Sequence, residues 1–400
     1  MTRSLAFAKY LRDWDWDVTV LTVSANAYPE VRQQNNASIP AHVQCVRSLA
    51  FDTQRHLSLF GRYPLLLATP DRWQSWIVSG FLSAARIIGR QRPDAIMSTY
   101  PIASAHCIAY YVHCMFHIPW IADFRDPMAQ ADYPPEPRLH RAFERIEKRI
   151  FTHAARVVVT TPGAASLYAS RFPAYKRQNI VTISNGFDPE MFSGIAMHNN
   201  SLPRIRSDQP LKLLHSGLLY PSERDPTQLF AAIAELLSED QSLPDQVQFV
   251  FRAAGNDADY KQRIRNHGLE KLVHILPAVP YADALAEIAT ADGLLLLQAS
   301  NCNEQIPAKL YEYLYCGRPI LALTDAHGDT GKLLVELGIT SIADLADKVQ
   351  IKKMLLCFIE QVRSGTTQPV AREVVMQFSR RDLTGELARQ LNAISTSPAA

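Results

Sequence analysis

The sequence predicts an α/β protein of two doubly wound, Rossmann-like domains facing across a cleft, and three observations carry that expectation. The chain has 400 residues, enough for two domains of about 150 residues or more. Short runs of β-branched and aliphatic residues alternate with longer helical patterns, the order that builds parallel sheets with helices on both faces. That alternation occurs twice, on either side of the polar, Pro-containing stretch Met197–Gln209. The expected units are therefore 1–196 and 210–372, with 373–400 a C-terminal helix and tail packing back toward the first domain.

In the first half, Leu5, Ala8 and Leu11 share one face of a helix over Thr2–Trp14. Val18–Val23 is a strand, followed by a loop containing Asn35, Asn36 and Pro40. Helices are expected at Trp73–Gly89, Ile102–Phe116 and Arg138–Phe151, the last with Leu139, Phe143, Ile146 and Ile150 on its apolar face. Ala95–Thr99, Trp120–Ala122, Arg156–Thr160 and Ile180–Ile183 read as strands. In the second half strands are expected at Leu211–Leu214, Val247–Ala253, Val273–Leu276, Leu294–Leu297 and Ile320–Leu323. Helices over Thr227–Leu237, Tyr260–His267, Ala282–Ala291 and Pro307–Cys316 separate them, and Ile394–Ala400 reads as a frayed tail.

Composition excludes several classes. With 47% apolar and 20% charged residues the chain has ample surface to bury, which excludes disorder. A net charge of +2 gives no electrostatic footprint for nucleic acid. No apolar run reaches the ~18 residues of a membrane span and no signal-peptide pattern opens the chain, so a soluble, cytoplasmic protein is expected. Cys45, Cys107, Cys114, Cys302, Cys316 and Cys357 form no C-x-x-C pair, and read as small buried residues in a reducing compartment. His106, His113 and His117 read as residues packed on a helix, and no metal or other cofactor is expected.

In doubly wound sheets, ligands sit at the carboxyl ends of the strands. The most informative such segment is Asn301–Leu314, which follows the strand Leu294–Leu297 and precedes Gly317, a residue suited to close a helix. Pro307 suits the first helical turn. Glu304 then lies at the helix mouth, where amides and the positive dipole end favour a diphosphate, with Lys309 a cation nearby. Glu312, one turn further in, can accept both hydroxyls of a ribose. A capped surface helix with a Glu–Lys pair is the structural alternative.

The two carboxylates, with seven residues between them and followed by Gly317-Arg318-Pro319, resemble the E-x7-E motif of retaining glycosyltransferases of GT-B fold, the glycosyltransferase family 4-like enzymes of lipopolysaccharide and exopolysaccharide synthesis. Trp120–Pro127, Ile183–Asp188 and His215–Arg224 resemble further segments of that family in the same order, so the resemblance spans nearly the whole chain. It implies transfer of a hexose from a nucleoside-diphosphate sugar to a cell-envelope or extracellular glycan acceptor, with retention at the anomeric carbon. It assigns Asp126, Glu304 and Arg224 to catalysis. Ser216, Gly217, Arg224, Glu304, Gln305, Ile306, Pro307, Lys309 and Glu312 fall to the donor, and Asp123, Arg125 and Asp126 face the cleft from the first domain. Hinge closure would accompany turnover.

Three departures stand out. Leu218 replaces an arginine of the family's phosphate loop, and Ile306-Pro307 replaces Phe-Gly, which removes one amide donor. The third is that Thr2–Leu11 resembles the helix that follows the family's first strand and Gly-rich loop; a strand and loop of about 15–25 residues are therefore expected upstream. A nucleotide-sugar epimerase of the same fold and a degenerate, non-catalytic sugar-nucleotide or membrane binder are the competing readings. Arg138, Arg141, Arg145, Lys148 and Arg149, with the stripe Trp73, Trp76, Ile77 and Phe81, suggest peripheral contact with the cytoplasmic face of an anionic inner membrane; Glu144 and Glu147 are the candidate counter-charges of a merely solvated face.

Overall fold

The computed structural model describes residues 2–28, 39–58, 62–130, 133–195 and 209–395. Two compact units divide the chain: Met1–Ser184 with Arg380–Ala400, and Asn185–Ser379.

The first unit holds two parallel sheets. Strand β1 (Thr19–Val23) pairs with β2 (Gln44–Ser48). A four-stranded sheet follows in sequential order: β3 (Ile96–Thr99), β4 (Trp120–Phe124), β5 (Arg156–Val159) and β6 (Ile180–Thr182). Among the described residues β1 pairs only with β2 and β3 only with β4. Every residue of β4 is buried, as an interior strand of a parallel sheet requires. The helices are α1 (Thr2–Tyr10), α2 (Trp76–Arg90), α3 (Ala103–Phe116), α4 (Pro137–His153) and α5 (Pro162–Arg171). Helix α4 starts as its sequence dictates: Pro137 opens the first turn, and the Glu136 carboxylate accepts the Leu139 N–H at 2.6 Å. Its Phe143, Ile146 and Ile150 enter the core, whereas Glu147 is also buried, held by Arg171 at 2.6 Å and the Tyr168 hydroxyl at 2.8 Å. Glu147 is therefore no counter-charge for the surface arginines.

The second unit is one six-stranded parallel sheet, made of β7 (Leu211–Ser216), β8 (Val247–Arg252), β9 (Val273–Leu276), β10 (Gly293–Leu297), β11 (Ile320–Leu323) and β12 (Ile342–Ala343). The spatial order is β12-β11-β10-β7-β8-β9. Helices α6 (Thr227–Glu239), α7 (Asp257–Asn266), α8 (Tyr281–Thr290), α9 (Ala308–Cys316), α10 (Asp329–Glu336) and α11 (Lys348–Ser364) cover its faces. One core layer gathers Phe230, Phe249, Phe251 and Phe358; the opposite layer gathers Phe187, Tyr311 and Tyr313. Phe187 stacks on Tyr315 at 4.3 Å and its N–H donates to Phe378, which is why residues 185–195 and 373–379 belong to this unit. The last helix, α12 (Arg380–Ser395), packs on α1 in the first unit through Leu383, Leu387 and Leu391 against Phe7 and Leu11.

Several local expectations are corrected. Strand β2 stands where a loop was expected, because a strand paired on one side only can carry Gln44, Arg47 and Ser48. Helix α1 stops at Tyr10 and a 3-10 turn, Leu11–Trp14, completes the segment before Asp15 turns left-handed at φ 62°. Helix α2 starts at Trp76 rather than Trp73. Strand β4 runs on through Asp123 and Phe124. Ile394 is buried within α12 rather than frayed. Cys107, Cys302 and Cys316 are buried, but Cys114 and Cys357 are exposed. Asn35, Asn36, residues 197–208 of the junction and residues 396–400 of the tail lie outside the described residues.

Gly293 opens β10 where two core side chains converge. A Cβ there would stand 2.7 Å from Leu213 Cδ2 and 2.9 Å from Phe358 Cε1. Gly293→Ala should therefore destabilise the second unit by about 1–3 kcal/mol through overpacking, despite alanine's smaller backbone entropy. Urea unfolding checks it, and Phe358→Leu in the same chain should recover part of the loss.

Candidate functional site

In the second unit the chain leaves β7 toward one edge of the sheet and β10 toward the other, although the two strands are neighbours. The loops at their carboxyl ends therefore part and leave a crevice. The residues singled out after β7 and β10 line it.

The loop after β7 is set by backbone. Ser216 donates its N–H to the Tyr313 hydroxyl at 3.1 Å, and the Gly217 N–H bonds the Arg252 carbonyl at 2.9 Å. Gly217 has φ 117°, a conformation glycine alone adopts readily, and a Cβ there would lie 3.0 Å from Lys309 Nζ. Further along, the Arg224 N–H donates to Tyr220 at 2.7 Å, and its guanidinium lies over the Tyr220 ring and donates to the Leu218 carbonyl at 3.3 Å.

The loop after β10 is held from beneath by Gln298, a residue sequence reasoning did not single out. Its buried amide donates to the carbonyls of Cys302 at 2.8 Å and Gln305 at 2.9 Å, and Thr330 also donates to Gln305 at 3.1 Å. The two loops are stitched together by Ala299 N–H to the Glu223 carbonyl at 2.7 Å and Asn301 to the Ser222 carbonyl at 3.0 Å. Asn303 donates to Asp325 at 2.7 Å. Glu304 is thus half-buried on a segment fixed at both flanks, and Ile306 anchors that segment in the core. Pro307 occupies the residue before the helix rather than its first turn, with ψ 129°. Helix α9 starts at Ala308, and Gly317 closes it at φ 65°, as its sequence position suggests.

The helix brings two charges to the crevice. Lys309 Nζ lies 3.1 Å from His215 Nε2 on β7. Burial, seconded by the Arg224 guanidinium and opposed by Glu312, pulls the Lys309 ammonium down to about 7. Glu312 is half-buried and accepts a hydrogen bond from the Tyr281 hydroxyl at 2.5 Å. Gln298, Tyr281 and Tyr313 are supporting residues with no motif of their own, and His215 heads the segment His215–Arg224, whose resemblance assigns it no role. A polar side chain at or beyond the carboxyl end of an apolar strand was the one signal that could have flagged His215 and Gln298.

The first-unit residues divide. Asp126 is exposed after β4, and Arg125 is half-buried with its carbonyl accepting from Thr160 at 2.8 Å. Asp123, expected to face the cleft, is fully buried instead. Its carboxylate pairs with the equally buried Arg3 at 3.0 Å and accepts the Thr99 hydroxyl at 2.8 Å. Arg3 also donates to the carbonyls of Ile183 at 2.9 Å and Ser184 at 2.6 Å. The desolvated guanidinium needs the carboxylate and both carbonyls as acceptors, so Asp123 is consumed by the fold. His106 and His113 of the helical histidine group bond Ser98 and the Ile118 carbonyl, and His117 closes α3 in the left-handed region.

A doubly wound unit with a left-handed glycine, a helix amino end and two cations at its strand reversal has the local geometry that suits an anionic ligand. Residues 2–186 match the family model for the glycosyl transferase 4-like domain. No curated protein sequence matches the chain. Among solved structures it is similar to sucrose-phosphate synthase from Thermosynechococcus elongatus, with a TM-score of 0.67, 14% identity and coverage of 97% of this chain and 92% of that one. Anabaena HepE, solved in complex with UDP-glucose, gives a TM-score of 0.61 at 13% identity, covering 94% and 99%. WaaG, a glycosyltransferase involved in lipopolysaccharide biosynthesis, gives 0.62 at 12%, covering 98% and 95%. The shared fold is GT-B, two Rossmann-like units.

Arg3→Met leaves the Asp123 carboxylate buried without its cation. It should destabilise the first unit by about 3–5 kcal/mol, read as a lower midpoint in urea. Replacing both residues by apolar ones of similar volume should cost less than the single change.

Proposed function

We propose that this glycosyltransferase moves a hexose from a nucleoside-diphosphate sugar onto a cell-envelope or extracellular glycan, with retention at the anomeric carbon. The observation that carries this reading is the convergence of Gly217, Arg224 and Lys309 on the amino end of α9, between Glu304 and Glu312. A left-handed glycine lets a diphosphate approach the backbone, and the helix amides and the two cations neutralise it as it leaves. In this reading no metal ion is needed. Glu312 accepts the ribose hydroxyls and Glu304 those of the transferred sugar. Ser216, Gln305, Ile306 and Pro307 shape the walls, and the exposed Asp126 serves on the acceptor side. Catalysis is then positioning plus charge stabilisation. The UDP-glucose bound to HepE and the lipopolysaccharide role of WaaG support the donor and acceptor classes.

The test is donor binding and transfer by two variants. Glu312→Gln should weaken donor binding by about 10- to 100-fold, the worth of hydrogen bonds to a charged group. Arg224→Ala should lower kcat more than it raises KM, because the charge it meets develops in the transition state. Unchanged affinity and unchanged kcat overturn the assignment, and interconversion of the sugar nucleotide without any acceptor marks an epimerase instead.

The reading extends to where an acceptor is presented. On the first unit, Val78 and Leu82 of α2 and Tyr111 and Met115 of α3 are exposed around a groove floored by Ile77 and Phe81. Trp76, by contrast, is buried, and Trp73 donates to the Ala27 carbonyl, so neither tryptophan is a free anchor. Helix α4, packed beside α3, exposes Arg138, Arg141, Arg145, Lys148 and Arg149 against Glu144 alone. An apolar strip beside a cationic one suits the surface of an anionic bilayer, where each cation contributes about 1 kcal/mol. No helix among the described residues is long and apolar enough to cross a membrane. The chain should sediment with vesicles containing phosphatidylglycerol and not with phosphatidylcholine alone, and Arg141→Gln, Arg145→Gln and Lys148→Gln together should abolish the difference. Equal sedimentation by the triple variant overturns this surface.

A further inference from the structure

Lys309 is held in an unusual way for a cation. Among the described residues no carboxylate lies within ion-pair distance of its Nζ. Its partner is instead the ring of His215, which is fully buried. The tautomer of that ring follows from its other contact: Nδ1 lies 3.0 Å from the Leu295 carbonyl on β10, which can only accept. Nδ1 therefore carries the proton, and Nε2 offers its lone pair to Lys309 at 3.1 Å. Burial keeps the imidazole neutral, and the neighbouring Lys309 ammonium reinforces this.

The charged and titratable groups that face Lys309 are few. His215 stands on β7, Arg224 on the loop after it, and Glu312 on the same helix. The positive end of α9 adds to the Arg224 charge. In the empty site the ammonium thus meets two positive neighbours and one carboxylate further along the helix. Arrival of a diphosphate reverses that balance.

We infer that His215 is a positioning residue of the donor site, holding Lys309 as a poised proton acceptor so that binding of a nucleoside diphosphate draws one proton onto the Lys309 amine. The inference rests on the donor site proposed above. The balance is simple: the amine takes H+ from solvent, becomes ammonium, and donates its new N–H to a diphosphate oxygen. A Lys309 amine lying near neutrality in the empty site is consistent with this. Binding raises the amine's proton affinity, so uptake appears, and affinity falls, as pH rises above neutrality.

The experiment is calorimetry of the whole chain with UDP, GDP and ADP, each titrated in buffers of different ionisation enthalpy between pH 7 and pH 9. The terminal phosphate, which titrates near about 6, is almost fully ionised throughout. The expected uptake is about half a proton per bound nucleotide at pH 7, approaching one at about pH 8.5. Lys309→Met should bind without uptake. His215→Leu, which removes the acceptor and frees the lysine to reach water, should lose the uptake and weaken binding about tenfold. His215→Gln, whose amide can donate to Leu295 and accept from Lys309, should restore both. A nucleotide that binds with no uptake, or with uptake that survives Lys309→Met or His215→Leu, overturns the inference and leaves the donor site standing. If none of the three nucleotides binds, the donor-site reading falls and this inference falls with it. The wild-type and Lys309→Met titrations decide the proton step even where a His215 variant does not fold.

Discussion

Strands β7 and β10 share hydrogen bonds, through the register Gly293 with Leu213 and Leu294 with Leu214, yet the chain departs from them in opposite directions. Everything at the candidate site depends on that reversal. Two loops that followed the same hand would lie over each other and leave no space. Because they part, the backbone at Gly217 and the amino end of α9 face a common opening, and the peptide groups there can meet a ligand instead of one another. The opening is kept by Gln298, whose buried amide satisfies two loop carbonyls, and by the Ala299–Glu223 and Asn301–Ser222 bonds that fix one rim to the other. A loop built from irregular backbone needs such internal partners, since its carbonyls have no ladder to join.

The charges of the molecule fall into two populations, distinguished by what desolvation leaves them. Arg3 and Asp123 are wholly withdrawn from water, but each finds several partners: a bidentate approach from the guanidinium, the Thr99 hydroxyl, and two carbonyls at the end of β6. Glu147 is satisfied in the same way by Arg171, Tyr168 and the Ala129 amide. Such groups hold elements together and have nothing left to offer a ligand. Lys309 is different, since it is half-buried, has one neutral hydrogen-bond partner, and shares its surroundings with Arg224 and a helix amino end. A cation in that position is costly in the empty protein and is relieved by an anion. The contrast separates charges consumed by the fold from one that is left able to meet an anion.

Much of this was legible in the sequence because it is local. The aliphatic runs at Leu294–Leu297 and Ile320–Leu323 are strands, Gly317 ends its helix in the left-handed region, and the residues around Glu304 and Glu312 sit at a helix mouth. What escaped is non-local. Asp123 stands in a segment that reads as a turn rich in charge, and only Arg3, 120 residues away, shows that it is interior. Glu147 looks like a surface partner of its arginine neighbours until Arg171 and Tyr168 arrive from another helix. Strand β2 has no strand-like composition, because one of its edges has no partner among the described residues. His215 heads a segment that resembles the family's, but its contact with the Leu295 carbonyl, on a strand 80 residues later, is not visible there.

The departures from the family pattern become intelligible in the same terms. Where an arginine is usual, Leu218 is half-exposed and its Cδ2 reaches the Cβ position of Gly255 at 3.1 Å, so it packs across two loops and cannot neutralise anything. Lys309 rises from a different element, α9, to within 3.0 Å of the Cβ position of Gly217. Pro307, which removes an amide, also fixes the extended turn that starts the helix at Ala308 and so sets where Lys309 projects. A cation on a rigid helix pays less entropy than one on a loop. It also brings its own desolvation, and that in turn calls for a neutral acceptor such as His215. Leu218 and Pro307, the departures at this site, therefore stand beside a helix-borne cation, and in the donor-site reading proposed above Lys309 and Arg224 supply the charge that Leu218 lacks.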